Sequence, residues 1–559
     1  MKKYITPFML SVFLVMFNSC GESFLTKYPS DQITSGTFYK TEQDFLSAIN
    51  GAYDGLIYVN NSEFFPMIDM ATPFSNGGAN FFGIYKFGVI GLNAGWSVAA
   101  QKWSLLYTCI MRANTVLANI DNKDAVISDA MRNRIKGEAL FLRAYNYFHL
   151  TYLFGDVPLI IGPVTFEDLK PKRTPKLEVI NQVIADLKLA ETLLPSVKTY
   201  RGTKNLGRVS VGAAKSLLGK VYVFEKRWQE AKDKLNEVIT SGDYSLVPNF
   251  SDQFWPTGEN GSESIFELQY ENNDPGVPYD NSSYVRYIGF SNKSNYYFGD
   301  GYYFMNPNQS FADLYETTNG YKVTSTYQSF LATSPWRTCV YSSSSSDPSF
   351  NPATPFNNRD PRLKWTIWYE DTPYVNEFMT RTGQTGVNFK QGYTKESNYA
   401  SVKYNVGKLG GVLSQSPMNV IALRYADVLL LYAEAQLELN NLPEAVKYLN
   451  MVRQRPSVMM PTVEQLSQTL GVPIATNQTE LRNFLRKERY RELAFEWAHM
   501  YFDMVRWDVL ATETVNYWTA NRDGFGNPAL ATFNKSFYLW PIPQGEIDKD
   551  PNLVQNPGY

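Results

Sequence analysis

The strongest constraint on the fold is a helical pattern that occurs twice in this chain of 559 residues. In the first copy Gly219 precedes Ala231 by 12 positions, and in the second copy Ala433 precedes Ala445 by the same interval. In each copy a short turn separates the two apolar stretches that carry these small residues. Small side chains at this spacing let the two helices of a hairpin approach closely. The sequence therefore predicts stacked helical hairpins.

Further helices are needed, because two repeats of this tetratricopeptide-like kind cannot bury their apolar faces alone. Apolar residues between Trp103 and Leu117 fall on one helical face. Residues 137–149 are apolar almost all round, apart from a polar stripe that includes Arg143. A helix of that composition is buried among other helices.

An irregular segment splits this helical scaffold. From about 245 to 415 the chain is rich in Pro, Gly, Asn, Ser and Tyr, with short strand-like runs such as 264–268. It is too long for a simple loop. The predicted fold is mostly α, a tetratricopeptide-like helical-repeat bundle with a loop-rich insertion that carries short strands. The predicted ranges are a helical scaffold at about 40–245 and 417–510, a loop-rich binding lobe at about 60–100 and 245–415, and a single domain over 20–559.

The N-terminus predicts export. A short basic start precedes the apolar run 5–17, which is too short to span a bilayer as a mature helix. We therefore interpret residues 1–19 as a signal peptide. Cys20 follows directly and looks like the acylated cysteine of a lipoprotein. Two acyl chains supply the anchoring that stable membrane attachment needs.

Several classes of function are disfavoured. The 52 Lys+Arg and 54 Asp+Glu nearly cancel, which argues against nucleic acid as a partner. The two histidines, His149 and His499, offer no catalytic spacing, and no phosphate-binding, zinc or EF-hand motif occurs. No cofactor is expected, although a structural Ca²⁺ held by loop carboxylates stays open. Cys109 and Cys339 do not make a disulfide framework, and a bridge between them also stays open.

One helical segment carries a cluster of charges, namely Glu488, Arg489 and Glu492. Carboxylates four residues apart on a helix repel each other unless a cation intervenes. Arg143 and Arg424 lie in other apolar segments and are the expected partners. We predict a structural ion-pair network of these five residues. The alternative is an acid/base pair of a glycosidase.

Aromatic residues make up 15% of the chain and concentrate in two irregular stretches. The first aromatic stretch, 76–85 followed by Trp96, places rings on a Gly-rich backbone beside amides. The second aromatic stretch, 284–303, adds many tyrosines, and Trp336 follows it. A flat ring suits the apolar face of a sugar, and amides suit its hydroxyls. The alternative is that these rings pack beneath their own loops.

The chain resembles the SusD/RagB family of surface glycan-binding lipoproteins along nearly its whole length. The motifs that carry the resemblance are Cys20 with Phe24-Leu25, Phe38-Tyr39-Lys40-Thr41 with Ala52-Tyr53, Gly137-Glu138-Ala139 with Phe141-Leu142-Arg143-Ala144, Phe154-Gly155-Asp156-Val157-Pro158-Leu159, Arg359-Asp360-Pro361-Arg362, Leu423-Arg424-Tyr425-Ala426-Asp427, Tyr432-Ala433-Glu434-Ala435, Glu488-Arg489-Tyr490-Arg491-Glu492-Leu493, Trp540-Pro541-Ile542-Pro543 and Gln555-Asn556-Pro557-Gly558-Tyr559.

The resemblance implies four tetratricopeptide-like units, an acylated Cys20 in the outer membrane facing the cell exterior, and a SusC-like TonB-dependent transporter that the protein covers as a lid. It implies an oligosaccharide ligand and no enzymatic activity. It also implies that the stacking platform lies in the two aromatic stretches, with Trp96 and Tyr296 as the leading candidates. The full set of glycan-binding candidates is Asp69, Asn80, Phe82, Tyr85, Trp96, Tyr284, Tyr296 and Trp336.

The sequence leaves three alternative functions open. The first is a peptide-binding member of the same family. The second is a glycoside hydrolase, and the third is a tetratricopeptide adaptor that holds a peptide in its concave groove.

Overall fold

The structure is a computed structural model, and it describes residues 38–61, 66–75, 93–162, 170–270, 306–333, 336–369, 372–382, 399–404, 417–520 and 535–559. Within these ranges eight helices form four pairs, and each pair packs against the next. The predicted fold class is confirmed. The first pair is Glu42–Asn61 with Ser97–Asn119, the second Asp129–Phe154 with Lys176–Leu193, the third Val211–Phe224 with Trp228–Thr240, and the fourth Tyr425–Glu438 with Leu442–Arg453.

The two pairs that the sequence pattern predicts share one turn geometry. Lys226 and Asn440 lie two residues beyond the first helix of their pairs and have left-handed φ values of 56° and 61°. The N–H of the next residue, Arg227 or Asn441, donates to the carbonyl five residues earlier at 2.8 Å in both turns. This is the hydrogen bond of a Schellman turn, which satisfies a carbonyl at the helix end.

The insertion is closed at its base by a two-stranded antiparallel sheet. The predicted strand at 264–268 is confirmed as Ser264–Leu268, and it pairs with Val420–Arg424. The second strand runs directly into the fourth helix pair. The insertion therefore leaves and rejoins the scaffold at one place.

A long β-ribbon lies further along the insertion. Val323–Thr333 pairs antiparallel with Trp336–Ser345, and the second of these strands contains four of the five consecutive serines at 342–346. The other described elements of the insertion are the 3-10 helices Asp252–Phe254 and Pro256–Gly258, the α-helices Gln309–Leu314, Leu363–Thr366 and Tyr374–Thr382, and the short strands Ile367–Trp368 and Ala400–Ser401.

The C-terminal helices cover the fourth pair. Gln478–Leu493 packs against both of its helices. Non-glycine residues with left-handed φ follow at Phe495, Trp497 and Ala498. The described α-helices that follow the fourth pair are Val463–Leu470, Gln478–Leu493, His499–Arg506, Leu510–Ala520 and Gln544–Lys549.

One hydrophobic core runs through the helix pairs and the base of the insertion. Cys109 lies in it as a free, fully buried thiol. Among the described helices, none combines the length and the apolar composition that crossing a membrane requires.

The close approach in the third helix pair gives a test of its packing. A Cβ added to Gly219 would lie 2.5 Å from Cδ2 of Leu235. Gly219→Val should therefore lower the free energy of unfolding by about 2 kcal/mol through overpacking. The measurement is urea denaturation.

Gly51 provides the matched control. It also lies inside a helix, but an added Cβ would meet nothing within 4 Å. Gly51→Ala should raise the free energy of unfolding by roughly 0.5–1 kcal/mol. If both substitutions changed the free energy of unfolding by the same amount and in the same direction, the close contact between Gly219 and Leu235 would be contradicted.

Candidate functional site: the loop-bearing face

Most of the predicted glycan-binding residues lie outside the described part of the chain, and so does the predicted lipid attachment site. They stay predictions. Trp336 begins the strand Trp336–Ser345, and its side chain is likewise outside the description. The residues outside the described ranges are Cys20, Asn80, Phe82, Tyr85, Tyr284 and Tyr296.

The structure brings the ends of the two aromatic stretches together. Ser75 is the last described residue before the first stretch, and Asn306 is the first described residue after the second. The Ser75 hydroxyl donates to the Asn306 carbonyl at 3.0 Å. The N–H of Asn308 donates to the Phe74 carbonyl at 3.1 Å. All four residues are buried, so a fixed junction joins the bases of both stretches. We call the described residues that flank these stretches, Ser75, Tyr270 and Asn306, the loop-bearing face.

An amide network holds the other end of the second stretch. Tyr270, the last described residue before it, donates its N–H to Oδ1 of Asn419 at 2.8 Å. The Asn419 side chain donates to Glu267 and Gln269, each at 3.1 Å, and its N–H donates to Glu259 at 2.7 Å. Burial raises the pKa of Glu259 to about 7, with Glu267 adding to the shift. Asn419 therefore holds Tyr270, and with it the start of the second aromatic stretch, in place through hydrogen bonds to its neighbours.

Asp69 has a structural role, so its assignment as a glycan-binding residue is wrong. Its side chain is fully buried, and its two oxygens accept the N–H groups of Phe495 and Tyr501 at 3.0 Å each. Burial raises the pKa of this carboxyl well above its usual range. A carboxyl held between two main-chain donors cannot reach a ligand. It fixes the 3-10 helix Pro66–Ala71, which precedes the first aromatic stretch in the chain.

Trp96 is also misassigned as a stacking platform. It immediately precedes the helix Ser97–Asn119 and is only 8% exposed. Its ring packs against that of Trp540, with centroids 4.7 Å apart. The N–H of Trp540 donates to the Leu153 carbonyl at 2.7 Å, which fixes the extended C-terminal segment on the second helix pair. The Trp96 ring therefore belongs to the core.

The helix Gln478–Leu493 is the centre of a buried ion-pair network. Glu492 is fully buried, and three guanidinium groups contact its carboxylate. Arg424 lies at 2.9 Å, Arg455 at 2.7 Å and Arg362 at 3.0 Å. Arg424 and Arg455 also share Glu263, at 2.8 Å and 2.7 Å.

Glu488, one turn earlier, is the second centre of this network. Its oxygens contact Arg362 and Arg453 at 2.7 Å and Arg491 at 3.1 Å. Burial alone would raise its pKa, but these arginines lower the pKa to about 2. Glu488 is therefore ionised at any physiological pH and cannot serve as a general acid.

Two of the five predicted network members lie elsewhere. Arg143 does not reach Glu488 or Glu492, because it pairs with Asp186 at 2.7 Å inside the second helix pair. Arg489 pairs with Asp427 at 2.9 Å and Asp503 at 2.7 Å. Only Arg424, Glu488 and Glu492 share the central network.

Sequence reasoning missed the remaining members. Arg362 belongs to the motif Arg359-Asp360-Pro361-Arg362, but nothing in that motif indicates a contact with Glu492, 130 residues later. Glu496 continues the spacing of Glu488 and Glu492, yet the helix ends at Leu493 and Glu496 turns to Lys403 and Arg424 instead. The members without a predicted role are Glu263, Glu316, Asp360, Arg362, Lys403, Arg453, Arg455, Arg491 and Glu496.

Two family models match the chain. One, described as the SusD family, covers residues 262–559, which is more than half of the sequence. The chain belongs to the SusD family. A second model of the same group, described as "Starch-binding associating with outer membrane", matches residues 85–223.

SusD-family relatives are similar over almost the whole length. SusD-like protein P25 of Formosa agariphila is 26% identical, with 98% of each chain covered. A SusD-like protein of Bacteroides ovatus is 23% identical, covering 92% of this chain and 85% of its own.

Solved structures share the SusD fold. A SusD-like protein from Bacteroides fragilis has a TM-score of 0.74 at 24% identity, covering 95% of this chain and 100% of its own. A structure titled "Laminarin binding SusD-like protein" has a TM-score of 0.67 at 22% identity, covering 93% and 100%.

The burial of Trp96 can be tested against a role in binding. Trp96→Ala removes a core ring and should lower the free energy of unfolding by about 3–5 kcal/mol. Glycan affinity of the folded protein should be unchanged. Chemical denaturation and calorimetry measure the two quantities. An unchanged unfolding free energy together with lost glycan binding would restore Trp96 as a platform.

The ion-pair network predicts a pH dependence. The folded-state pKa of Glu488 is about 2, below its ordinary value of 4.5. Its ionised form therefore stabilises the fold above pH 4.5, and this contribution is lost as the pH falls towards 2. Glu488→Gln should lower the free energy of unfolding at pH 7 by about 3–5 kcal/mol, because it leaves buried arginines with less compensation.

The difference between wild type and Glu488→Gln should narrow between pH 4.5 and pH 2 in denaturation curves. Glu444→Gln is the control, since Glu444 pairs with Lys447 at the surface and its loss should change stability by at most about 0.5 kcal/mol. A difference in unfolding free energy between wild type and Glu488→Gln that stays constant over this pH range would contradict the ionised, ion-paired state of Glu488.

Proposed function

We propose that this SusD-family protein is a surface lipoprotein that binds oligosaccharide and passes it to a SusC-like TonB-dependent transporter in the outer membrane. Family membership supports the binding role, together with the starch-binding description of the model matched at 85–223. A relative of the same fold is titled as laminarin binding. Binding takes place without cleavage of a bond.

The observation that carries the proposal is the junction at Ser75 and Asn306. It gives the two aromatic stretches a common, buried base through a hydroxyl–carbonyl hydrogen bond of 3.0 Å. Binding residues on loops are effective when a rigid scaffold fixes the loop bases. Rings from both stretches can then stack on one sugar chain while amides receive its hydroxyls.

The anchor is proposed at Cys20. It follows a basic start and a 13-residue apolar run, the pattern of an exported lipoprotein. With two acyl chains on this residue, the folded part would stay attached to the outer membrane. We place the protein on the outer surface, where it would meet glycans before its transporter does.

Affinity gel electrophoresis against a panel of polysaccharides tests the proposal. Wild type should be retarded by one class of glycan. Tyr296→Ala and Phe82→Ala should each weaken that retardation by about tenfold, the effect of losing one stacking ring. Trp228→Ala is the matched control, because Trp228 is a half-buried ring on the third helix pair and its loss should not change retardation.

Other outcomes would contradict this function. Release of new reducing ends from a labelled oligosaccharide by the pure protein would make it a glycosidase. Binding to a peptide library with no binding to any glycan would make it a peptide-binding member of the family.

A further inference from the structure

A separate cavity of about 280 Å³ lies between the first helix pair and the first strand of the insertion. We call it the side pocket. The helix Glu42–Asn61, the turn 204–208 and the residues 266–269 at the end of the first strand form its walls. Its last wall residue, Gln269, directly precedes the Tyr270 anchor of the second aromatic stretch.

The apolar wall of the side pocket is a fixed aromatic ring. The Tyr53 hydroxyl accepts the N–H of Val209 at 3.0 Å, and the Arg208 guanidinium lies 5.7 Å from the ring centre. Tyr53 is half-buried, so part of its ring surface faces the cavity. Leu206, which is 38% exposed, adds a second apolar surface.

The turn that carries Leu206 approaches the opposite wall closely. Gly207 has a left-handed φ of 91°, and a Cβ there would lie 2.4 Å from the side-chain amide carbon of Gln269. Reciprocal hydrogen bonds of 2.8 Å and 3.0 Å hold that amide to Asn260. The pocket is therefore formed before any ligand arrives, which favours binding.

Polar groups with spare hydrogen-bonding capacity line the rim. Oδ1 of Asn50 accepts from Arg208 at 2.7 Å, and the amide N–H groups of this side chain have no acceptor among the described residues. Oδ2 of Asp54 accepts from Arg112 at 2.7 Å, and its second oxygen contacts no donor among the described residues. Lys204 is exposed and forms no ion pair within the described ranges. The rim thus offers two donors and one acceptor.

We infer that the side pocket binds one or two sugar units of the glycan whose remainder lies on the aromatic stretches; this inference rests on the proposed function. A sugar ring presents an apolar C–H face to Tyr53 and hydroxyls that both donate and accept at the rim. A hydrocarbon would leave Asn50, Asp54 and Lys204 desolvated without partners. An anion would meet the Asp54 carboxylate.

The size of the side pocket limits its ligand. Pockets for drug-sized molecules hold roughly 300–1,000 Å³, and this one is slightly smaller. It therefore accommodates the end or a branch of a chain rather than a long segment. Two linked sites on one glycan raise affinity more than either site alone, provided that the chain is long enough to span both.

The test fills the side pocket. Leu206→Trp places a large side chain in it, and Asn50→Ala removes a rim donor. Calorimetry uses a size series of the oligosaccharide that retards wild type. Each substitution should weaken binding of the longer oligosaccharides by about tenfold, while binding of the shortest fragments on the aromatic stretches should hardly change. The gain in affinity with chain length should therefore flatten.

Leu189→Trp is the matched control, because Leu189 is a similarly exposed leucine on the second helix pair. It should behave as wild type. If wild type binds glycan and Leu206→Trp shows the same affinity and the same chain-length dependence, the side pocket is not a sugar site, and the proposed function stands. If wild type binds no glycan, the proposed function fails and this inference fails with it.

Discussion

The pairing of Glu488 and Glu492 with arginines from distant parts of the chain decides how the insertion sits on the helical scaffold. Arg362 comes from the insertion, Arg424 from the strand that closes it, and Arg453 from the end of the fourth helix pair. All five side chains are at most 1% exposed. A buried charge that loses its partner costs several kcal/mol, so any other seating of the insertion would leave charges uncompensated. The network therefore specifies one arrangement.

The same helix end also holds the segments that lead into the loop-bearing face. Lys403 donates to the Glu492 carbonyl at 2.8 Å and to the Glu496 carboxylate at 2.6 Å. Asp69 accepts the N–H of Phe495, which lies between those two glutamates. These contacts hold residues 494–498 from both sides, and three of them, Phe495, Trp497 and Ala498, have the left-handed φ that non-glycine residues rarely adopt. The ion pairs at this helix end therefore also fix the position of the segment 66–71, which leads into the first aromatic stretch.

The sequence allowed prediction of local features and failed where distant chain segments meet. The spacing of Gly219 and Ala231 was enough to predict a helix pair. The residue types at 264–268 were enough to predict a strand there. Trp96 was misassigned because its partner, Trp540, lies more than 400 residues away. Asp69 was misassigned because its partners are main-chain N–H groups, which leave no trace in the sequence.

Aromatic content, which first suggested a sugar site, does not separate binding rings from core rings. Trp96 and Trp540 pack on each other in the core, whereas Tyr53 borders a cavity. Tyr53 differs in its surroundings. Asn50 and Asp54 each accept a hydrogen bond from an arginine with one side-chain oxygen, and each has another polar side-chain atom without a partner among the described residues. Asn50 is exposed and Asp54 is only half-buried, so a ligand in the pocket can reach these polar atoms, and polar atoms placed around a fixed ring fit a sugar better than a ring alone does. The same criterion applies to the rings of the two aromatic stretches, where stacking on sugar requires a donor or acceptor that the fold has left free.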